Sequence, residues 1–137
     1  MGCGRVGSTL ARSLEDRNHT VAVIDSNPDA FRRLGPTFSG TKVTGVGFDQ
    51  DVLEKAGIDR ADAFAAVSSG DNSNIIAARV ARETFGIQKV VARIYDPGRA
   101  EVYQRLGIEI ATQRLCAPAI LAGSQCRLAQ RKPGVGV

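Results

Sequence analysis

Residues 2–7 read Gly2-Cys3-Gly4-Arg5-Val6-Gly7, a Gly-x-Gly-x-x-Gly turn. In such a turn the first glycine makes a tight bend, the second lets a pyrophosphate approach the backbone, and the third lets the next helix pack on the sheet. The unpaired N–H groups and positive end of that helix favour an anion. The following residues fit this context. Val6, Leu10, Ala11 and Leu14 fall at helical spacing. Asn18 suits the left-handed residue that closes a helix. Thr20-Val21-Ala22-Val23-Ile24 is an apolar run of strand length, and Asp25 ends it 18 residues after Gly7. A carboxylate there accepts hydrogen bonds from both hydroxyls of an adenine-side ribose and repels a 2′-phosphate, which favours NAD or an adenine nucleotide over NADP. The competing role for Asp25 is to cap the turn at the strand end.

Further on, helical and strand-like patterns alternate. Asn27-Pro28-Asp29 is a helix start, with Asn27 as cap and Pro28 at the first helical position. Lys42 to Val46 is a weaker strand, Asp49 caps a short helix ending at Gly57, and Ala61 to Val67 is a buried strand. Asp71 or Ser73 caps a long helix that stops at Gly86. Lys89 to Ile94 is a strand, Asp96-Pro97 opens a helix ending at Gly107, and Ile108 to Ala111 is a last short strand. Strands without polar alternation, separated by helices, predict an α/β fold: a doubly wound, Rossmann-like parallel sheet. The strand that should feed the glycine turn is missing from the chain. It is central in the usual order 3-2-1-4-5-6, so its neighbours lose a partner and the core opens. This predicts a native start upstream of Met1.

The chain of 137 residues has the length of one domain. No apolar run reaches the roughly 18 residues of a membrane span, which predicts a soluble, cytosolic chain. Cys3, Cys116 and Cys126 form no metal-ligand spacing, and their odd number fits reduced thiols. The net charge of +4 raises the question of nucleic acid. Residues 1–110 carry 14 basic and 14 acidic side chains, so the excess comes from Arg114, Arg127, Arg131 and Lys132 in the tail. A neutral body argues against a nucleic-acid partner. His19 is the only histidine, and no Ser/His/Asp set or ligand cluster stands out. With no second domain to hold a substrate, nucleotide binding without turnover is expected, with no catalytic or metal residues. An NAD-dependent oxidoreductase, or a fragment of one, is the alternative.

Several segments carry a more specific likeness. They are the glycine turn with its internal arginine; Val21 to Asp25; Gly47-Phe48-Asp49 with Leu53 to Ile58; Ser68-Ser69-Gly70-Asp71-Asn72-Ser73-Asn74; and Ala92-Arg93-Ile94-Tyr95-Asp96-Pro97. Over roughly residues 1–110 the chain resembles the TrkA-N, or RCK, nucleotide-binding domain family of bacterial potassium-transport regulators. The resemblance implies a cytoplasmic regulatory subunit, dimeric or ring-forming. It would sit at the inner face of the membrane through a potassium transporter or channel, and gate it on binding NAD(H) or ATP/ADP. It implies a cofactor-contacting set of Gly2, Gly4, Arg5, Val6, Gly7, Asp25, Ser26, Phe48, Asp49, Ser68, Ser69, Asp71 and Arg93. Arg5 would reach phosphates, within one subunit or from a neighbour, and a cation at a helix N-terminus is unfavourable unless an anion is bound. Ser68, Ser69 and Asp71 would line the nucleotide or serve as plain turn and cap residues. Arg93 would lie near the ligand or a subunit contact.

The chain departs from the family pattern in three places. The first strand is missing. Phe48 stands where the family usually has an acid, which puts base recognition at that corner in question. Beyond about Ile110 the likeness fades. Residues 1–112 then form the nucleotide-binding domain. Residues 113–137 form a divergent helical or disordered basic tail, without the second ligand-binding domain that many members carry.

Overall fold

The computed structural model describes residues 1–111 and 135–136. Helix α1 (Arg5–Asp16) buries Leu10, Ala11 and Leu14. It ends as Asn18 takes a left-handed φ of 64°. Strand β1 (Val21–Asp25) follows, buried except at Asp25. The next helix, Pro28–Leu34, is a 3-10 helix in which the Asn27 side chain accepts from the Asp29 N–H at 3.0 Å. Strand β2 (Thr41–Thr44) is largely exposed, as expected of an edge. It leads through Asp49 into α2 (Gln50–Lys55) and a 3-10 turn, Ile58–Arg60. Fully buried β3 (Ala63–Ala66) precedes α3 (Asp71–Arg79), which runs on as π-helix over Val80–Thr84. Strand β4 (Lys89–Arg93), helix α4 (Pro97–Gln104) and strand β5 (Glu109–Ala111) follow. As expected, Asp96 caps α4, accepting from the Gly98 N–H at 2.9 Å.

All pairings are parallel, and with β6 formed by Val135–Gly136 the sheet order is β2-β1-β6-β3-β4-β5. This is the doubly wound order, with one substitution. The place expected for a strand ahead of the glycine turn is taken by β6 (Val135–Gly136). Val135 pairs with Val21 on one side and Ala63 on the other, and Gly136 pairs with Ala22 and Phe64. Met1 continues the same column: its nitrogen donates to the Ala65 carbonyl at 2.7 Å, and the Val67 N–H donates to the Met1 carbonyl at 2.8 Å. The Gly2 N–H then donates to the Ile24 carbonyl at 2.7 Å. The expectation that β1 and β3 lack a partner is therefore corrected, because the backbone groups a missing strand would strand are paired by β6 and Met1. Of the tail expected to be helical or disordered, Val135 and Gly136 form β6, and the rest, residues 113–134 and 137, lies outside the described residues.

Two cores cover the two faces. One gathers α1, the first 3-10 helix and the facing side chains Val21, Val23, Ala63, Ala65 and Val91. The other gathers α2, α3 and α4 over Ile24, Phe64, Ala66, Val90 and Ala92. Both leave the carboxyl ends of the strands open, where a ligand crevice forms in such sheets. Among the described residues no helix is long and apolar enough to cross a membrane.

Candidate functional site: a glycine-turn cleft

The glycines hold the turn in three different ways. Gly2 has a φ of +96°, and a Cβ there would come within 2.6 Å of the Ser68 nitrogen. A Cβ on Gly7 would overlap the Gly2 carbonyl oxygen, so Gly7 is what lets α1 close on the turn. A Cβ on Gly4 would meet nothing within 4 Å, because Gly4 faces open space. Gly4 is the N-cap of α1 and makes no side-chain cap bond, so the first-turn N–H groups of α1 point into that space.

A cleft of about 840 Å³ lies there. Of the sequence-derived set, Gly2, Gly4, Arg5, Val6, Asp25, Ser26, Phe48, Ser68, Ser69 and Arg93 line it. Three members do not. Gly7 lies behind the turn, against Gly2. Asp49 caps α2, its Oδ1 accepting from the Asp51 N–H at 2.9 Å. Asp71 bridges two loops, accepting from the Tyr95 N–H at 2.8 Å and the Asp96 N–H at 3.1 Å. The N-cap of α3 is Gly70, so Asp71 and Ser73 are not its cap.

Asp25 performs the turn-capping role. Its Oδ2 accepts from the Cys3 N–H at 2.7 Å and its Oδ1 from the Asn27 N–H at 2.8 Å. The carboxylate ties the glycine turn to the loop after β1, and each oxygen retains acceptor capacity towards the cleft. The Cys3 thiol is buried and hydrogen-bonded to the Ala30 carbonyl at 3.4 Å. Burial, and then the charge of Asp25, push its pKa up, so it is an unreactive filler of the bend at neutral pH.

The facing wall is held by a residue without a role in the sequence reading. Asn74 is fully buried. Its Oδ1 accepts from the Ser68 N–H at 2.8 Å and the Ser68 hydroxyl at 2.7 Å. Its Nδ2 donates to the Ser68 carbonyl at 2.9 Å and the Arg93 carbonyl at 2.8 Å. One amide thus locks the loop after β3 to the end of β4. The available signal was an asparagine in the first turn of an apolar helix, where it serves neither propensity nor capping. Arg33 and Tyr95 also line the cleft unforeseen. Of the adjacent Arg32 and Arg33, only Arg33 lines the cleft among the described residues. In the 3-10 helix Arg32 pairs with Asp29 at 3.4 Å, on the exposed side. The Arg93 guanidinium lies 4.4 Å from the Tyr95 ring centroid, and its Nε is buried without a hydrogen-bond partner among the described residues.

The electrostatics follow from this lining. Among the described residues, Arg5, Arg33 and Arg93 border the cleft with Asp25 as its sole acid, and none of the three arginines forms an ion pair. Together with the α1 N-terminus, they make an anion-attracting site. No cluster of His, Cys, Asp or Glu suited to a metal occurs among the described residues. His19 is buried and lies outside the cleft.

The TrkA-N domain model matches residues 1–113. The chain is 70% identical over 122 residues to the Trk system potassium uptake protein TrkA of Streptomyces coelicolor, covering 88% of this chain and 55% of that protein. It is 39% identical over 106 residues to a TrkA homologue of Pyrococcus abyssi, covering 77% and 47% respectively. The chain therefore spans about half the length of these curated relatives. Among solved structures, the Shewanella denitrificans Kef CTD in AMP-bound form superposes with a TM-score of 0.72 at 23% identity, over 95% of this chain and 84% of that one, a likeness of fold. The GsuK channel bound to NAD superposes with a TM-score of 0.61 at 25% identity, over 77% of this chain and 19% of that one. A family match that spans the whole glycine-turn domain settles the kinship: the chain belongs to the TrkA-N domain family.

Proposed function

We propose that this chain is the nucleotide-binding part of a regulatory subunit of a bacterial potassium uptake system. It takes NAD(H) or ATP/ADP in the glycine-turn cleft and passes the resulting change of shape to a membrane potassium transporter or channel. The observation that carries this is the cleft's charge and opening: an open Gly4 beneath the α1 N-terminus, bordered by Arg5, Arg33 and Arg93. The phosphates sit over Gly4 and the α1 N–H groups, with Arg5 and Arg93 neutralising them. The ribose hydroxyls donate to the remaining acceptor positions of Asp25. Support for the potassium system comes from the TrkA relatives, and support for nucleotides from the NAD and ADP named for GsuK. We read the subunit as non-catalytic, cytoplasmic and oligomeric, with its neighbours or its membrane partner receiving the signal.

Isothermal calorimetry with ADP, ATP, NAD and NADH tests the binding step. Binding by the wild type and its loss in Asp25→Ala and Arg5→Ala are expected. Co-purification with a membrane potassium protein tests the partner. Steady NADH turnover with a small substrate would favour an oxidoreductase instead.

A further inference from the structure

At the ribose end of the cleft, the loop after β2 forms a wall of Gly45, Val46, Gly47 and Phe48. It is fixed beside Asp25, where the Gly45 N–H donates to the Asp25 carbonyl at 3.0 Å. It turns back on itself where the Asp49 N–H donates to the Val46 carbonyl at 3.0 Å. Gly47 lies over the Met1 side chain, where a Cβ would overlap it, so the loop cannot settle deeper. The turn lifts two apolar side chains into the opening: Val46 is 46% exposed and Phe48 37% exposed.

Much of the polar capacity nearby is already used. The acid of this loop, Asp49, is turned away to cap α2. Asp25 already holds two backbone N–H groups. The Asn27 side-chain oxygen accepts from the Asp29 N–H. Adenine differs from guanine at the six position by carrying an amine donor, and reading that donor needs an acceptor. The loop offers no side-chain acceptor. The remaining cationic group, Arg33, presents only donors, which suit ring nitrogen N7 of either purine and O6 of guanine.

We propose that Phe48 and Val46 form an apolar platform that holds a purine by its face, so that the site accepts guanine as well as adenine nucleotides. This rests on the nucleotide-binding reading above. A flat aromatic contact rewards ring area and is indifferent to the donors and acceptors along the ring edge.

The test is calorimetry on the 137-residue chain with ADP, GDP and UDP, which share the diphosphate and ribose. ADP and GDP are expected to bind within about threefold of each other, and UDP about tenfold more weakly, because it offers a smaller face. Phe48→Ala is expected to weaken ADP and GDP alike by about tenfold and to leave UDP within about twofold, while Phe48→Tyr restores purine binding. Phe48 is partly exposed, so folding of both variants is checked by circular dichroism. A GDP affinity more than about thirtyfold below that of ADP would overturn the proposal, showing that the backbone reads the base edge. Equal binding by wild type and Phe48→Ala would overturn it too, while leaving nucleotide binding intact. If none of the three binds the wild type, both the platform and the nucleotide-binding reading fall.

Discussion

The glycine turn and the Asn74 junction face each other across one cleft and are built on different principles. On the turn side, residues close in sequence make the site: Gly2, Gly4 and Gly7 divide bending, access and helix packing among them. On the other side, residues 19 to 25 positions apart are joined by side-chain hydrogen bonds, Asn74 to Arg93 and Asp71 to Tyr95 and Asp96. The first wall depends on the absence of side chains, the second on two polar ones placed where backbone groups would otherwise be unsatisfied. A substitution on the turn should therefore act through steric overlap, and one at the junction through lost hydrogen bonds.

The largest expected effect is from Gly7→Ala, whose methyl has no room against the Gly2 carbonyl. A loss of about 4 kcal/mol or more in urea-induced unfolding is expected, at the severe end for single substitutions. Gly4→Ala sharpens the point within the same wall. Its φ of −76° suits alanine and its Cβ meets nothing. Stability should hold within about 0.5 kcal/mol while nucleotide affinity by calorimetry falls at least tenfold.

Asn74→Ala should come next, at about 3 kcal/mol, because Ser68 and Arg93 backbone groups lose their partner in a partly buried place. If it cost as little as a surface change, the two walls would not differ as described. Asp71→Ala, with more exposed bonds, should cost about 1 kcal/mol. The same denaturation measurement checks both.

The smallest effect concerns Glu15, which accepts from the Ser39 N–H at 2.7 Å and hydroxyl at 2.6 Å. The Ser39 hydroxyl bond, and then its backbone bond, hold the Glu15 pKa below the ordinary value. A depressed carboxylate contributes stability above its unfolded value, near pH 4.3, and loses that contribution as pH falls through the lower folded value. Melting temperatures taken from pH 6 down to pH 3 should show a slightly shallower decline in Glu15→Gln than in wild type.

Much of this was legible from local pattern. Asn18, Asn27 and Asp96 sit in their expected capping or helix-closing places because each interaction spans only a few residues. Asp25 was legible as a strand-end acid, but its bond to Cys3 spans 22 residues and appears only when β1 lies beside the turn. Asp71 looked like a helix cap because the motif cannot show that Tyr95 and Asp96 fold back to it. Asn74 and Arg33 were missed for a related reason: one works across two strands, and local pattern does not show which face of a short helix turns to the cleft.

The central column of the sheet shows the same division. Spacing alone called for a strand between β1 and β3 and placed it upstream of Met1, whereas Val135 and Gly136 occupy that place. Val135 and Gly136 carry no signal as a central strand; their place comes from parallel pairing with residues more than 70 positions away. By itself the sequence determined the alternation of helix and strand, the glycine turn and the acid after β1, since these rest on backbone freedom and short-range periodicity. Only the tertiary structure decided which strand completes the sheet, that Arg33 joins Arg5 and Arg93 at the cleft, and which amide holds its far wall, because each depends on groups distant in the chain being brought together.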